Sequence, residues 1–342
     1  MLCSGVGIRG GTMKRREFVG LLGGAAAWPI VARAQQPERM RRIGMLMPLA
    51  ATLPSMKLEV AAFVRQLQNL GWAEGRNLKI DYRFAAGDAE QMQVLARELV
   101  ALQPDVIFCS GTGVTAALLK QTRTIPIVFA LVSDPVGDHF VESLARPGGN
   151  VTGFTNVESS LAGKWLELLK EIAPSIKRVA FIFDPRSGPG GGSYYTRLIE
   201  ATAPSLAMTP IAAPVHDAVE IEHALSGFVS EPNGGLVVLP GGTTNTHRGL
   251  IIALAARHRV PAIYTYPDIV VDGGLMSYGV DDVDLFRRGA GYVDRIFKGA
   301  KPTELPVQLP TKYQLFINLK TAKALGFNVS SQLQQRADEV IE

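Results

Sequence analysis

From Arg41 onward, short apolar or β-branched runs alternate with longer windows in which apolar residues recur every three or four positions. That alternation of strand-like and helix-like periods is the pattern of α/β units on a parallel sheet. Arg42–Met47 predicts a first strand ending at Pro48. Leu58–Leu70 predicts a helix, with Leu58, Ala61, Ala62, Val64, Leu67 and Leu70 on one face and Gly71 as its stop. Strands follow at Leu78–Phe84, Val106–Cys109, Ile127–Leu131 and Val151–Thr155, with helical windows at Ala89–Leu102 and Gly113–Gln121. The first of those windows stops before Pro104, because a proline pushes the residue ahead of it out of the α region.

The cycle then restarts. Helical windows at Leu161–Ile172, Tyr194–Ala203, Ala218–Val229 and His247–His258 alternate with strands at Arg178–Phe183, Leu206–Ala212, Leu236–Leu239, Ala262–Tyr264 and Leu275–Tyr278. A long helix over Asp282–Phe297 and a Pro-rich return at Pro302–Pro310 come next. Two successive sets of similar size predict an α/β protein of two Rossmann-like lobes, each with a parallel sheet, joined by a hinge. The expected division is 41–155 for the first lobe and 156–277 for the second. Residues 278–326 are expected to cross back to the first lobe, leaving 327–342 as a tail.

A chain of 342 residues exceeds the roughly 250–300 residues of a single core, which agrees with two lobes. An apolar content of 47% with 19% charged residues excludes a disordered chain. No uninterrupted apolar run reaches the ~18–20 residues of a membrane span.

The net charge of +4 is unevenly placed. Arg9, Lys14, Arg15, Arg16 and Arg33 face only Glu17 within residues 1–34, which leaves 30 basic and 30 acidic residues in the remainder. A neutral body has no clustered basic face for nucleic acid. Of the two cysteines, Cys3 lies in the basic N-terminal region and Cys109 in an apolar strand. Cys3 falls in the segment expected to be removed, so Cys109 alone remains, which excludes an internal disulfide and argues against a thiolate metal site.

The basic excess belongs to an address. Met13-Lys14-Arg15-Arg16-Glu17-Phe18 opens a positive region, an apolar Gly/Ala-rich stretch runs from Val19 to Val31, and Ala32-Arg33-Ala34 closes it. Positive, apolar, then small-x-small is the secretory order, and Arg-Arg-x-Phe with Gly20, Gly23 and Gly24 is similar to the twin-arginine signal. Cleavage is expected near Ala34, with Met13 as an alternative start, and a periplasmic mature protein follows. A buried amphipathic helix is the competing reading; Pro29 and the Ala-x-Ala ending count against it. No cysteine follows the apolar run to serve as a lipid anchor.

In open parallel sheets, ligands bind beyond the carboxyl ends of the strands, so the strand-end loops are the candidates. Leu49 and Ala50 follow the first strand in a loop suited to an apolar group. Ser110-Gly111-Thr112-Gly113 lies at a helix N-terminus, where free amides and hydroxyls favour an anion or simply form a tight capped turn. Asp134 is placed to accept from a ligand ammonium or to cap the next helix.

Asn156 stands at the first seam. In the second lobe, Arg186 and Ser187 open a glycine-rich loop, and Gly241 and Thr243 begin another helix. Tyr264 and Tyr266 in Tyr264-Thr265-Tyr266, and Tyr278 at the second seam, offer rings for a flat ligand group or for packing between lobes.

Enzyme and cofactor signatures are weak. The glycine-rich loop carries no lysine, against a nucleotide triphosphate site. Gly111-Thr112-Gly113-Val114-Thr115-Ala116 matches the dinucleotide fingerprint, with Asp134 downstream, but it follows the third strand rather than the first. The histidines (His139, His216, His223, His247, His258) form no ligand pair, and there is no Gly-x-Ser-x-Gly elbow or Cys-x-x-Cys. Asp281-Asp282 reads as a helix start favoured by the dipole. No cofactor, metal or catalytic set is expected.

Longer strings point to a family. They include Ile125-Pro126-Ile127-Val128-Phe129-Ala130, Ser133-Asp134-Pro135-Val136, Leu144-Ala145-Arg146-Pro147-Gly148-Gly149-Asn150-Val151-Thr152-Gly153, Gly273-Gly274-Leu275-Met276-Ser277-Tyr278-Gly279 and Asn318-Leu319-Lys320-Thr321-Ala322-Lys323-Ala324-Leu325-Gly326. With them the chain resembles the ABC transporter substrate-binding proteins that include the tryptophan/tyrosine-type binding proteins, from about Arg41 to Gly326.

The resemblance implies a type I periplasmic-binding fold, a small-molecule ligand such as an amino acid in the interlobe cleft, and a permease and ATPase as partners. Contact with the membrane would then run only through the permease. A sensory receptor with the same closure, or a nucleotide-dependent enzyme on this scaffold, are the alternative functions.

Overall fold

The computed structural model describes Leu2 and residues 39–156, 160–186 and 193–342; the export-signal reading of 1–34 therefore lies outside the described residues, Leu2 apart. The first lobe runs β1 (Arg41–Met47), α1 (Pro54–Asn69), β2 (Leu78–Phe84), α2 (Ala89–Ala101), β3 (Val106–Ser110), α3 (Thr112–Leu119), β4 (Ile127–Val132) and β5 (Val151–Thr155). Its sheet has the order β2-β1-β3-β4-β5 with every pair parallel. Strands buried on both faces need apolar residues throughout, and β3, β4 and β5 are almost continuously buried.

The second lobe continues with α4 (Leu161–Ile172), β6 (Arg178–Phe183), α5 (Ser193–Thr202), β7 (Thr209–Pro214), α6 (Ala218–Phe228) and β8 (Gly234–Val238). Two helices, α7 (Gly242–Thr246) and α8 (Arg248–Arg257), then lead to β9 (Ala262–Tyr264), α9 (Pro267–Val271) and β10 (Met276–Val280). The chain returns to the first lobe as α10 (Asp282–Phe297). It ends with β11 (Tyr313–Asn318), α11 (Leu319–Leu325), α12 (Ser331–Arg336) and β12 (Glu339–Ile341). The second sheet has the order β12-β11-β10-β9-β8-β6-β7, parallel except for the β10–β11 pair.

The placement of 278–326 in the first lobe, with a separate tail 327–342, needs correction. From Tyr313 the chain belongs to the second lobe: Leu315 and Ile317 enter its core, and the Asp338 carboxylate accepts from the Leu315 amide at 2.7 Å. Leu333 is fully buried there as well. An antiparallel strand beside β10 was invisible as periodicity because only Leu315 and Ile317 alternate inward over its short length.

Helix α1 also begins four residues before the sequence window, because Pro54 occupies the first helical turn with its dihedral already set for a helix. The weak strand at Leu206–Ala212 shifts to β7, since Ala203–Leu206 closes into a 3-10 turn.

Three passages join the lobes: after β5, from β10 into α10, and from the Pro-rich segment into β11. The third is laced to the first lobe where Thr155 N–H donates to Gln308 O and Gln308 N–H to Gly153 O, both at 3.0 Å. Asp281 N–H donates to Lys312 O at 3.1 Å, so the second and third passages lie side by side.

Helix α10 packs Leu285, Phe286, Ala290, Val293 and Phe297 against the first sheet. Phe108 stacks on Phe63 at 4.2 Å and takes the edge of Phe286 at 5.2 Å and 76°. Gly289 makes this approach possible, as a Cβ there would fall 2.5 Å from the Phe108 ring. Phe286→Ala is expected to cost about 3–5 kcal/mol by urea unfolding, whereas Val283→Ala, on the exposed side of the same helix, should stay within about 0.5 kcal/mol.

Candidate functional site

The carboxyl ends of the parallel strands of both sheets open on one cleft between the lobes, with a volume of about 810 Å³. The first lobe supplies the loop after β1, the inward face of α1, the start of α3 and the loop after β4. The second lobe supplies the ends of β6 and β8, the first turn of α5 and the segment before α9.

At the start of α3, Gly111 adopts φ 87°, a left-handed conformation that a Cβ would strain. The turn is held from below, where Thr115 Oγ1 donates to Gly111 O at 2.9 Å. Thr112 Oγ1 accepts from the Ser133 amide at 3.3 Å. The end of β4 is re-aimed by Leu131, a non-glycine residue at φ 58° within a register shift.

The lobes touch across the cleft. Ser133 Oγ lies 3.2 Å from the Tyr195 hydroxyl, Ser55 Oγ donates to Asp268 Oδ2 at 3.3 Å, and Arg197 pairs with Asp134 at 3.5 Å. At the mouth the backbones of residues 87 and 242 pass so closely that a Cβ on Gly242 would lie 3.4 Å from Gly87 O. This is a closed arrangement.

Asp184 at the end of β6 accepts from the Arg186 amide at 2.8 Å and from two of its guanidinium nitrogens at 3.1 Å, and Thr243 Oγ1 makes a short bond to the same carboxylate. Burial alone would push the Asp184 carboxyl up; the bonds from Arg186 and Thr243 outweigh it and hold the group below the usual carboxylate range.

A second set of carboxyls behaves oppositely. Glu59 on α1, Asp268 on α9 and Asp282 at the start of α10 line the same cleft. Burial, then Asp268, pushes the Glu59 carboxyl up to about 8. Burial likewise raises Asp268, against the pull of Arg248 and Ser55, and raises Asp282 together with Glu59, Asp281 and Asp268. Three side-chain atoms buried at this cleft have no hydrogen-bond partner: Glu59 Oε2, Asn156 Oδ1 and Asn245 Oδ1. All three are acceptors.

Of the residues singled out in the sequence, Leu49, Ser110, Thr112, Gly113, Asp134 and Asn156 line the cleft from the first lobe. Arg186, Gly241 and Thr243 line it from the second. Asp134 accepts from the Gly137 amide at 2.8 Å besides pairing with Arg197, so it serves its own turn as well. Ser187 lies outside the described residues.

Ala50, Tyr264 and Tyr278 are not among the lining residues. Tyr264 is 1% exposed in the second-lobe core, because strand alternation turns its ring away from the cleft end. Tyr278 stacks on Tyr313 at 5.7 Å, and its carbonyl accepts from Trp165 Nε1 at 2.6 Å. The rings at the cleft are Tyr194, Tyr195, Tyr266 and Phe183.

Sequence reasoning missed Glu59, Asn245, Asp268 and Asp282. Glu59 lies within the predicted helix Leu58–Leu70 but carries no motif that would single it out. The Asp281-Asp282 pair divides its labour: Asp281 Oδ1 caps α10 by accepting from the Asp284 amide at 2.9 Å, while Asp282 faces the cleft.

Two α/β lobes closing on one cleft are the arrangement of a solute-binding protein. The model of the ABC transporter substrate binding protein family matches residues 45–341, and the chain belongs to that family. It is 26% identical over 278 residues to a tyrosine-binding protein of Clostridioides difficile, covering 80% of this chain and 77% of that one.

Among solved structures it is similar to a conserved domain protein from Vibrio cholerae, at TM-score 0.82 and 26% identity, over 88% of this chain and 100% of the other. It is also similar to an ABC domain in complex with L-Trp from Streptococcus pneumonia, at TM-score 0.81 and 25% identity, over 88% and 99% of the two chains.

The raised Glu59 carboxyl has a consequence for stability. Folding keeps its proton on, so its contribution is complete below the ordinary value of 4.5 and is lost as pH rises through about 8. The melting temperature of ligand-free protein should fall across that interval, and Glu59→Gln should flatten the fall. An unchanged slope in the variant would contradict the assignment.

Proposed function

We propose that this chain is the exported, periplasmic receptor of an ABC uptake system, and that it captures an amino acid by closing its lobes over it and presents it to a membrane permease driven by an ATPase. The observation that carries this reading is the pairing of opposite chemistries in one cleft. Free amides and hydroxyls at the start of α3 suit a carboxylate. The unpartnered oxygens of Glu59, Asn156 and Asn245 suit an ammonium. Tyr194, Tyr195 and Tyr266 provide apolar faces between.

The relatives that bear on the ligand are the tyrosine-binding protein and the L-Trp complex. Export follows from the basic, apolar and Ala-x-Ala order of residues 13–34, with cleavage near Ala34. Among the described residues no helix is long and apolar enough to cross a membrane. The site residues we assign to the ligand are Ser110, Thr112, Gly113, Asn156 and Thr243, together with Glu59, Asn245 and Asp282.

A ligand bound only by the folded state raises the melting temperature in a concentration-dependent way, by about 2.7 kcal/mol of stabilisation at 100 times its dissociation constant. A thermal-shift panel of the common amino acids on the mature protein should give a saturable rise for at least one of them. Thr112→Val, which removes the hydroxyl at the α3 turn, should weaken that ligand about tenfold. A flat response across the whole panel would overturn the amino-acid reading.

A further inference from the structure

We propose that Glu59, Asp268 and Asp282 form a subsite for an organic ammonium group, and that the receptor takes small aliphatic amines of net positive charge, such as basic amino acids, in preference to neutral aromatic amino acids. The inference rests on the reading of the cleft as the ligand site and goes further by fixing the ligand's charge.

Charge balance is the first observation. Eight carboxyl-bearing side chains line the cleft against three cationic ones, Lys120, Arg186 and Arg197. Arg186 is consumed by Asp184, and Arg197 by Asp134. Lys120 stands exposed at the rim. Among the described residues no ion pair engages Glu59, Asp268 or Asp282. A neutral zwitterion brings one positive group and carries its own carboxylate into a surface already in carboxylate excess. A net cation relieves that excess.

The second observation is independent of charge. Glu59 is 6% exposed and Asn245 4% exposed, each leaves an acceptor oxygen without a partner, and both line the cleft. Orphaned buried acceptors cost about 1–3 kcal/mol each, and a protonated amine, with three N–H groups and no lone pair, is a donor that such an acceptor lacks. Among the described residues no group of three or more acidic, His or Cys side chains has the geometry of a metal site, which favours the bulkier organic cation.

The groups facing Glu59 are Asp268 from α9, Asp282 from the start of α10 and Tyr266 from the segment before α9; Asp281 acts on Asp282, and Arg248 on α8 faces Asp268. With carboxyls predominant, the empty subsite holds protons that an arriving ammonium displaces.

The test is isothermal titration calorimetry of the mature protein with L-lysine, L-arginine, putrescine, L-tyrosine, L-tryptophan and calcium chloride, repeated in buffers of different ionisation enthalpy. A basic probe should bind at least about tenfold more tightly than either aromatic one, with release of protons near neutral pH. Glu59→Gln should cut that affinity about tenfold and abolish part of the proton release.

That variant mimics the protonated side chain, so its melting curve should match or exceed the parent's and show that it is folded. Tighter binding of L-tyrosine or L-tryptophan, indifferent to Glu59→Gln, overturns the charge preference and leaves the receptor reading standing. Binding of calcium alone overturns the preference too. Silence from every amino acid and amine overturns both readings together.

Discussion

Helix α10 leaves the second sheet directly after Val280 and buries Leu285, Phe286, Val293 and Phe297 among the first-lobe residues Phe63 and Phe108. A helix covalently continuous with one lobe thus fills the core of the other, and the large aromatic area it removes from water makes the union expensive to break. The remaining geometry depends on it. Asp282 reaches the cleft because it stands at the first turn of this helix, opposite Glu59 on α1. The adjoining Asp281–Lys312 backbone bond keeps two of the three interlobe passages together.

Within that frame the protein separates two kinds of carboxylate. Asp184 is clamped by Arg186 and Thr243 and stays charged, a fixed wall of the site. Among the described residues Glu59, Asp268 and Asp282 have no ion pair of this kind, though Ser55 donates to Asp268, and they are held toward their protonated forms by burial and by one another. Closure sharpens the contrast, because expelling water strengthens every Coulomb interaction left inside. A ligand that satisfies the acceptors only when both lobes surround it has a differential affinity for the closed state, which is what shifts a hinge equilibrium. The interlobe contacts of Ser133 with Tyr195 and of Ser55 with Asp268 supply the protein's own share.

The two-lobed α/β plan was legible because parallel strands buried on both faces read as apolar runs and their crossover helices as 3.6-period windows. The strand-end loops were legible as the walls of one cleft for the same topological reason: Ser110, Thr112, Asp134 and Thr243 line it although they are far apart in the chain. The terminal strands β11 and β12 escaped because a six-residue antiparallel strand and a three-residue edge strand carry too few alternations to register. Tyr264 misled because a tyrosine at a strand end looks functional until alternation assigns its face, and the cleft ring is its neighbour Tyr266. Glu59 was hidden most deeply. On a helix, a lone carboxylate among apolar residues signals solvent, and only the approach of α9 and α10 from distant sequence turns it into a buried, unpartnered acceptor.

The central claim is that the lobes close on an amine held by this carboxyl group. A crystal structure of the mature protein with its tightest amino-acid or amine ligand tests it directly. The account predicts the ligand nitrogen within about 3 Å of Glu59 Oε2 and Asn245 Oδ1, with the lobes closed as here. A ligand whose nitrogen points away from Glu59, leaving both acceptors facing water or carbon, would contradict it.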